Sequence, residues 1–252
     1  MIKTLHIWFI GTLLAVLSAC SKGHGHDCFK SNGKTSSQLR SLPAFDSVLV
    51  NDNVEVFILN GPEYKVEILA GEHVAGNILA EVKNRGLEIS NSNKCNFVRG
   101  YHHQFKAIVT TPRLLRVTHN GYADLHLDRD LGFTQDSLSL RAGGAGNIRV
   151  NGHFKYINSS TQCDGDIYLN GSTGEAIIYV AGTSFIYADG LAVSDHLYTA
   201  SYTSGNCSFS LNNTTLFDGY IRKSGNIYYS GTALTVNIIN DDNAPGKLIK
   251  KQ

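Results

Sequence analysis

Three sets of side chains in this 252-residue sequence could do chemistry. His24-Gly25-His26-Asp27-Cys28 and His102-His103 carry metal-ligand types. Yet no Cys-x-x-Cys pair accompanies them, and such spacing is the usual mark of a closed zinc site. Asp164 and Asp166, two apart, with Asp189 further on, could supply the two carboxyl groups that glycoside hydrolysis needs. No Lys or Arg cluster adjoins them, and no Gly-x-Ser-x-Gly elbow, phosphate-binding loop, His-Glu-x-x-His or dinucleotide fingerprint occurs. Neither an enzyme, a metal site nor a cofactor is expected, and a carbohydrate-active enzyme is the alternative. Tyr168, Tyr187 and Tyr228 form the third set, whose rings could stack on a sugar or a protein partner or simply on one another.

What would hold these groups begins at the N-terminus. Lys3 precedes an apolar run from Ile7 to Leu17, and Leu17-Ser18-Ala19-Cys20 follows. A charged start, a short apolar middle and small residues before a cleavage point make a secretory signal over residues 1–19. The run is shorter than the ~20 residues that span a bilayer. Its end resembles the lipobox of bacterial lipoproteins, which implies cleavage before Cys20 and lipidation of its thiol, with more than one acyl chain for stable anchoring. Residues 20–40, rich in Gly, Ser, Lys and His, read as a tether. Neither an Asp after Cys20 nor an acidic run follows, so the expected location is the cell envelope at the outer membrane, with its face left open.

With Cys20 lipidated, Cys28, Cys95, Cys163 and Cys207 remain. Cys28 and Cys95 are the candidate disulfide pair, which would close the tether onto the domain. Net charge is +1, which points to no nucleic-acid partner. The expected partners are a membrane, through the lipid, and an unidentified envelope protein or glycan.

From residue 123 a pattern recurs: a small residue, Asn or Asp, then apolar-any-apolar. Copies start at Ala123, Gly146, Gly165, Ser184, Gly205 and Gly225. A near-constant period of this length marks a solenoid. Alternation makes each copy a strand with one buried face. The first inward file is Leu125, Ile148, Ile167, Ile186, Cys207 and Ile227; the second is Leu127, Val150, Leu169, Ala188, Phe209 and Tyr229. A second apolar strand lies between copies, as in Ala176–Val180. The fold class is therefore all-β, a right-handed parallel β-helix of about 20 residues per coil. Asp124, Asn147, Asp166, Asn206 and Asn226 fall at its corners and should stack as a ladder that satisfies backbone groups.

The N-terminal half alternates with a looser period, in Phe45–Val50, Asn53–Ile58, Tyr64–Ile68, Gly86–Ser90 and Phe105–Thr110. The expected domain covers 41–245, with a basic tail over 246–252. The segments "AFDSVLVNDNVEVFI", "GLEIS", "AIVTTPRLLRVTHNG" and "KSGNIYYSG" resemble the head GIN domain family, common in Bacteroidota and labelled as auto-transporter adhesins. The similarity runs from Leu42 to about Ile239 and implies an envelope interaction domain, with adhesion or partner binding as its role. The alternative non-enzymatic role is a periplasmic scaffold or signalling partner.

Overall fold

Strands form wherever apolar and polar residues alternate, because successive side chains of an extended chain point to opposite faces. The structure, a computed structural model, describes residues 31–94, 105–127, 133–241 and 243–251. Cys20, Cys28 and Cys95, the leader, and His24, His26, His102 and His103 lie outside the described residues. In chain order the strands are β1 (Thr35–Ser41), β2 (Ser47–Val50), β3 (Val54–Asn60), β4 (Lys65–Gly71), β5 (Ile78–Lys83), β6 (Gly86–Asn91), β7 (Phe105–Thr111), β8 (Arg116–His119) and β9 (Leu125–Leu127). There follow β10 (Phe133–Ala142), β11 (Ile148–Thr161), β12 (Ile167–Gly182), β13 (Ile186–Thr203), β14 (Cys207–Ser210), β15 (Leu216–Ile221), β16 (Ile227–Ser230), β17 (Thr235–Asn240) and β18 (Leu248–Lys250). Among the described residues the only helical turn is Ala75–Asn77.

From β9 onward the strands stack in parallel as a β-solenoid. Leu125, Ile148, Ile167, Ile186, Cys207, Ile227 and Leu248 face one another in register, stepping mostly by 19 to 21 residues. Each coil has two legs. The first runs through β9, the starts of β11, β12 and β13, then β14, β16 and β18. The second runs through β8, β10, the ends of β11, β12 and β13, then β15 and β17. Both inward files are buried along the stack, down to a half-buried Tyr229. At the first bend Gly171 has φ +111°, and a Cβ there would lie 1.8 Å from the Gly152 carbonyl oxygen, so the stacking admits only glycine.

The looser N-terminal period has a topological cause. The β2–β3 coil lies between two others: β2 pairs in parallel with β6 and β8, and β3 with β7 and β9. Antiparallel strands then close the end, with β4 on β7, β1 on β4 and β5 on β6. The β5–β6 hairpin turns on Asn84 and Arg85, both at positive φ, as a two-residue hairpin loop requires.

Both termini depart from expectation. The segment expected as tether, 20–40, is already strand from Thr35. Composition reports what a segment can bury, and β1 buries little: Leu39 stays 65% exposed. Backbone pairing with the β4 edge holds it, together with Arg40, whose guanidinium donates to the carbonyls of Ile78 at 2.8 Å and Ala75 at 3.3 Å. The basic tail 246–252 contributes β18, the last rung on β16.

Candidate functional site

The corner before the first leg is built by side chains standing in for backbone. The Asn147 backbone N–H and its Nδ2 both donate to Asp124 Oδ1, at 3.1 and 3.0 Å. Asn147 Oδ1 accepts from the Asp166 N–H at 3.1 Å, and Asp166 Oδ1 from the Phe185 N–H at 2.9 Å. Phe185 has no acceptor to pass on, so the chain of bonds stops there. It resumes where Asn206 Oδ1 accepts from the Asn226 N–H and Asn226 Oδ1 from the Lys247 N–H, both at 2.9 Å. Asn and Asp suit this place because their short side chains reach a neighbouring amide without disturbing the strand.

The carboxylates considered for hydrolysis are each engaged. Asp166 belongs to the corner ladder, and Asp164 Oδ1 accepts from Thr183 Oγ1 at 2.5 Å. Asp189 takes hydrogen bonds from Ser208 and, at 2.7 Å, from Lys251 Nζ. Burial disfavours its ionisation, but those two bonds and the lysine charge outweigh burial and hold its carboxyl below the usual value. A general acid needs the opposite shift. Among the described residues no three His, Cys, Asp or Glu converge as a metal site. Cys163 and Cys207 are free thiols, and burial pushes Cys207 up to about 12.

Of the three tyrosines singled out in the sequence, the structure brings two together. Tyr168 and Tyr187 are in register and stack flat, with centroids 4.7 Å apart and planes at 14°. Ser208 separates Tyr187 from Tyr228. The stack extends the other way: Arg149 lies over Tyr168 at 4.0 Å, and beyond it His126 stacks on Phe57 at 4.6 Å and 7°. Ring separations this close to the strand spacing follow from the sheet itself. Tyr168 is covered by Arg149 on one face and Tyr187 on the other, whereas Tyr187 has Ser208 rather than a ring in the next coil and stays 39% exposed.

The second leg carries a different aromatic face, one not picked out from the sequence. Tyr179 and Tyr198 meet at 5.8 Å and 57°, and Tyr198 and Tyr220 at 6.5 Å and 71°. Arg222 lies over Tyr202 at 5.1 Å and Tyr220 at 4.9 Å, donates to the Tyr202 hydroxyl at 2.8 Å, and pairs with Asp241 at 3.1 Å. Ala200 lies between Tyr179 and Tyr220 in register. It points outward by alternation and is nevertheless buried, so the surrounding rings close over it as a cluster. His196 and Asp218, 2.6 Å apart, border it. Burial, followed by the neighbouring Tyr179 and Tyr220, raises Tyr198, which keeps its hydroxyl protonated.

A family model described as "Putative auto-transporter adhesin, head GIN domain" matches residues 44–233. Among solved structures, a putative adhesin from Bacteroides fragilis superposes with a TM-score of 0.76 at 20% identity, covering 86% of this chain and 97% of that one. A putative adhesin from Parabacteroides distasonis gives 0.64 at 18% identity, covering 87% and 98%. A protein from the same organism described as a putative lipid binding protein gives 0.65 at 17%, covering 88% and 98%. At such identities these likenesses show the fold. None of the curated proteins compared matches this chain. On the extent of the family match, the chain belongs to the head GIN domain family of adhesin-type proteins.

Proposed function

We propose that this chain is a lipid-anchored envelope protein whose solenoid binds a neutral glycan on the ring cluster of Tyr179, Tyr198, Tyr202 and Tyr220. The observation that carries the reading is the ring geometry. In this cluster the tyrosines meet at 57° and 71° rather than flat, and Tyr179 and Tyr202 stay 44% and 38% exposed. The apolar face of a sugar ring stacks on exposed aromatic faces, and Asp218, His196 and Arg222 surround them with hydrogen-bonding groups. The flat stack of Tyr168 and Tyr187 turns two ring planes against each other and serves cohesion between coils. Membership of an adhesin-type family supports a binding role. Cys20, at the end of the lipobox-like segment, would carry the anchor and place the domain at the outer membrane.

The test is binding of the full chain, extracted in detergent, to immobilised mannan, dextran and arabinoxylan. Tyr198→Ala with Tyr202→Ala should weaken capture by about tenfold or more, equivalent to ~1.4 kcal/mol. Tyr168→Ala with Tyr187→Ala should leave it intact. Equal binding by wild type and the Tyr198/Tyr202 variant would sink the assignment. For the anchor, Cys20→Ser should abolish incorporation of labelled fatty acid and move the chain from the detergent phase to the aqueous phase.

A further inference from the structure

The two ends of the solenoid are closed differently. At the N-terminal end, antiparallel β1, β4 and β5 cover the stack, and Val66, Ile68 and Ile78 are fully buried. At the other end Val236 and Ile238 continue the inward files of the second leg, in register with Phe217 and Gly219. Val236 is nevertheless 39% exposed, and Leu234 and Ile239 beside it are 85% and 53% exposed. β17 pairs on one side with β15, and β18 on one side with β16; no described residue pairs with their outer edges. Folded proteins usually protect such an edge with charge, proline or a bulge. On β17 the edge reads Thr235-Val-Asn-Ile-Ile-Asn240, uncharged and rich in β-branched residues, while β18 carries Lys250 between Lys247 and Lys251.

We propose that this terminal coil pairs with the terminal coil of a second copy of the chain, end to end about a two-fold axis. The edge is self-complementary in two respects. Antiparallel alignment keeps inward residues facing inward when Val236 lies opposite Ile238 of the partner subunit, with the axis at Asn237; the two cores then become continuous. The same reversal exchanges the two corners of the coil. It brings the corner that carries Asp241 toward Lys250 of the partner subunit. Lys250 is exposed and makes no ion pair among the described residues, and its charge is opposite to that of Asp241, whose carboxylate also pairs with Arg222. An isologous contact of this kind closes at two copies and uses the terminal-coil edge of both.

Sedimentation velocity on the detergent-extracted full chain, from about 1 to about 100 μM, spans the affinities a small interface reaches. The expected result is a mass of two copies. Asn237→Lys places two ammonium groups opposite each other on the axis and should give monomers with an unchanged thermal midpoint, since Asn237 is exposed. Asn237→Cys should form a cross-linked dimer on oxidation that wild type does not form. A wild-type monomer throughout the range overturns the proposal. So does a dimer that survives Asn237→Lys, or one whose Asn237→Cys form fails to cross-link. Asn237 lies beside Asp218 in register, but these outcomes read the mass and cross-linking of the chain with no glycan present, so they stand or fall apart from glycan capture.

Discussion

Replacing Asn147 by Ala should remove one link of the corner ladder and nothing else of size. Two bonds go with the side chain. Its Nδ2 no longer donates to Asp124 Oδ1 at 3.0 Å, and the Asp166 N–H loses its acceptor at 3.1 Å. A half-buried bond to a carboxylate contributes about 1 kcal/mol net, and an amide left without its partner costs about 1–2 kcal/mol. The expected destabilisation is therefore about 2–3 kcal/mol, read as a lower urea midpoint with an unchanged slope. The Asn147 backbone N–H keeps its own bond to Asp124, which bounds the loss. Asn147→Asp sharpens the test. It retains an acceptor for Asp166 but sets a second carboxylate against Asp124, so its deficit should shrink as pH falls toward 4 and the pair takes up a proton. A loss below about 0.5 kcal/mol for Asn147→Ala would refute the idea that these side chains carry the corner.

Gly219, at φ +143°, would place a Cβ 1.7 Å from the Thr199 carbonyl oxygen, so Gly219→Ala should separate those coils and cost more than the usual ~1 kcal/mol for a misplaced side chain, checked by thermal melting. His119 is fully buried, with Nε2 2.7 Å from the Ala123 carbonyl and Nδ1 without a partner. Burial holds its pKa below the ordinary 6.5, despite the opposing Ala123 bond and Asp124 charge. The unfolded chain therefore takes up the proton first: stability should be complete above about pH 6.5 and fall as pH drops below it, with a slope approaching ~1.4 kcal/mol per pH unit until the folded state also protonates. His119→Gln should flatten that slope in urea titrations at pH 7.5 and 5.5. Cys207, fully buried and raised to about 12, should resist iodoacetamide in the native protein and react only in denaturant.

The parallel stack was legible in the sequence because one residue type per file recurs once per coil, and burial follows alternation without further input. Leu125 through Ile227 needed no knowledge of partners. The antiparallel cap was not legible. Thr35–Ser41 is polar and half exposed, and becomes a strand only because β4 presents an unpaired edge. The tyrosine cluster was missed because its rings come together across files. Register shifts lie between Tyr168 and Asn170 and between Thr173 and Glu175, so the step from β12 to β13 grows from 19 on the first leg to 21 on the second. The rings therefore share no single file: Tyr179 and Tyr220 are in register with Ala200 between them, while Tyr198 lies opposite Ile177 and Asp218. Tyr228 shares the file of Tyr168 and Tyr187 but not their stack: the intervening coil holds Ser208, and stacking needs a ring on every rung.

Anchor and open edge together have a geometric consequence, resting on lipidation at Cys20 and on pairing at β17. The first leg passes in hydrogen-bonded order through β1, β4, β7, β3, β9, β11, β12, β13, β14, β16 and β18. Ten inter-strand steps make a body about 50 Å long. The segment leading from Cys20 enters at β1, on the capped end, so the open edge lies furthest from the membrane. A two-fold axis across that edge sends the two anchors to opposite ends of a rod about 100 Å long, between two lipid surfaces rather than side by side on one. Vesicles carrying the lipidated chain should accordingly cluster, as followed by light scattering, and Asn237→Lys should keep them dispersed. Wild-type vesicles that stay dispersed while the extracted chain dimerises would mean that the pairing occurs within one membrane, and would refute the rod geometry while leaving the edge contact intact.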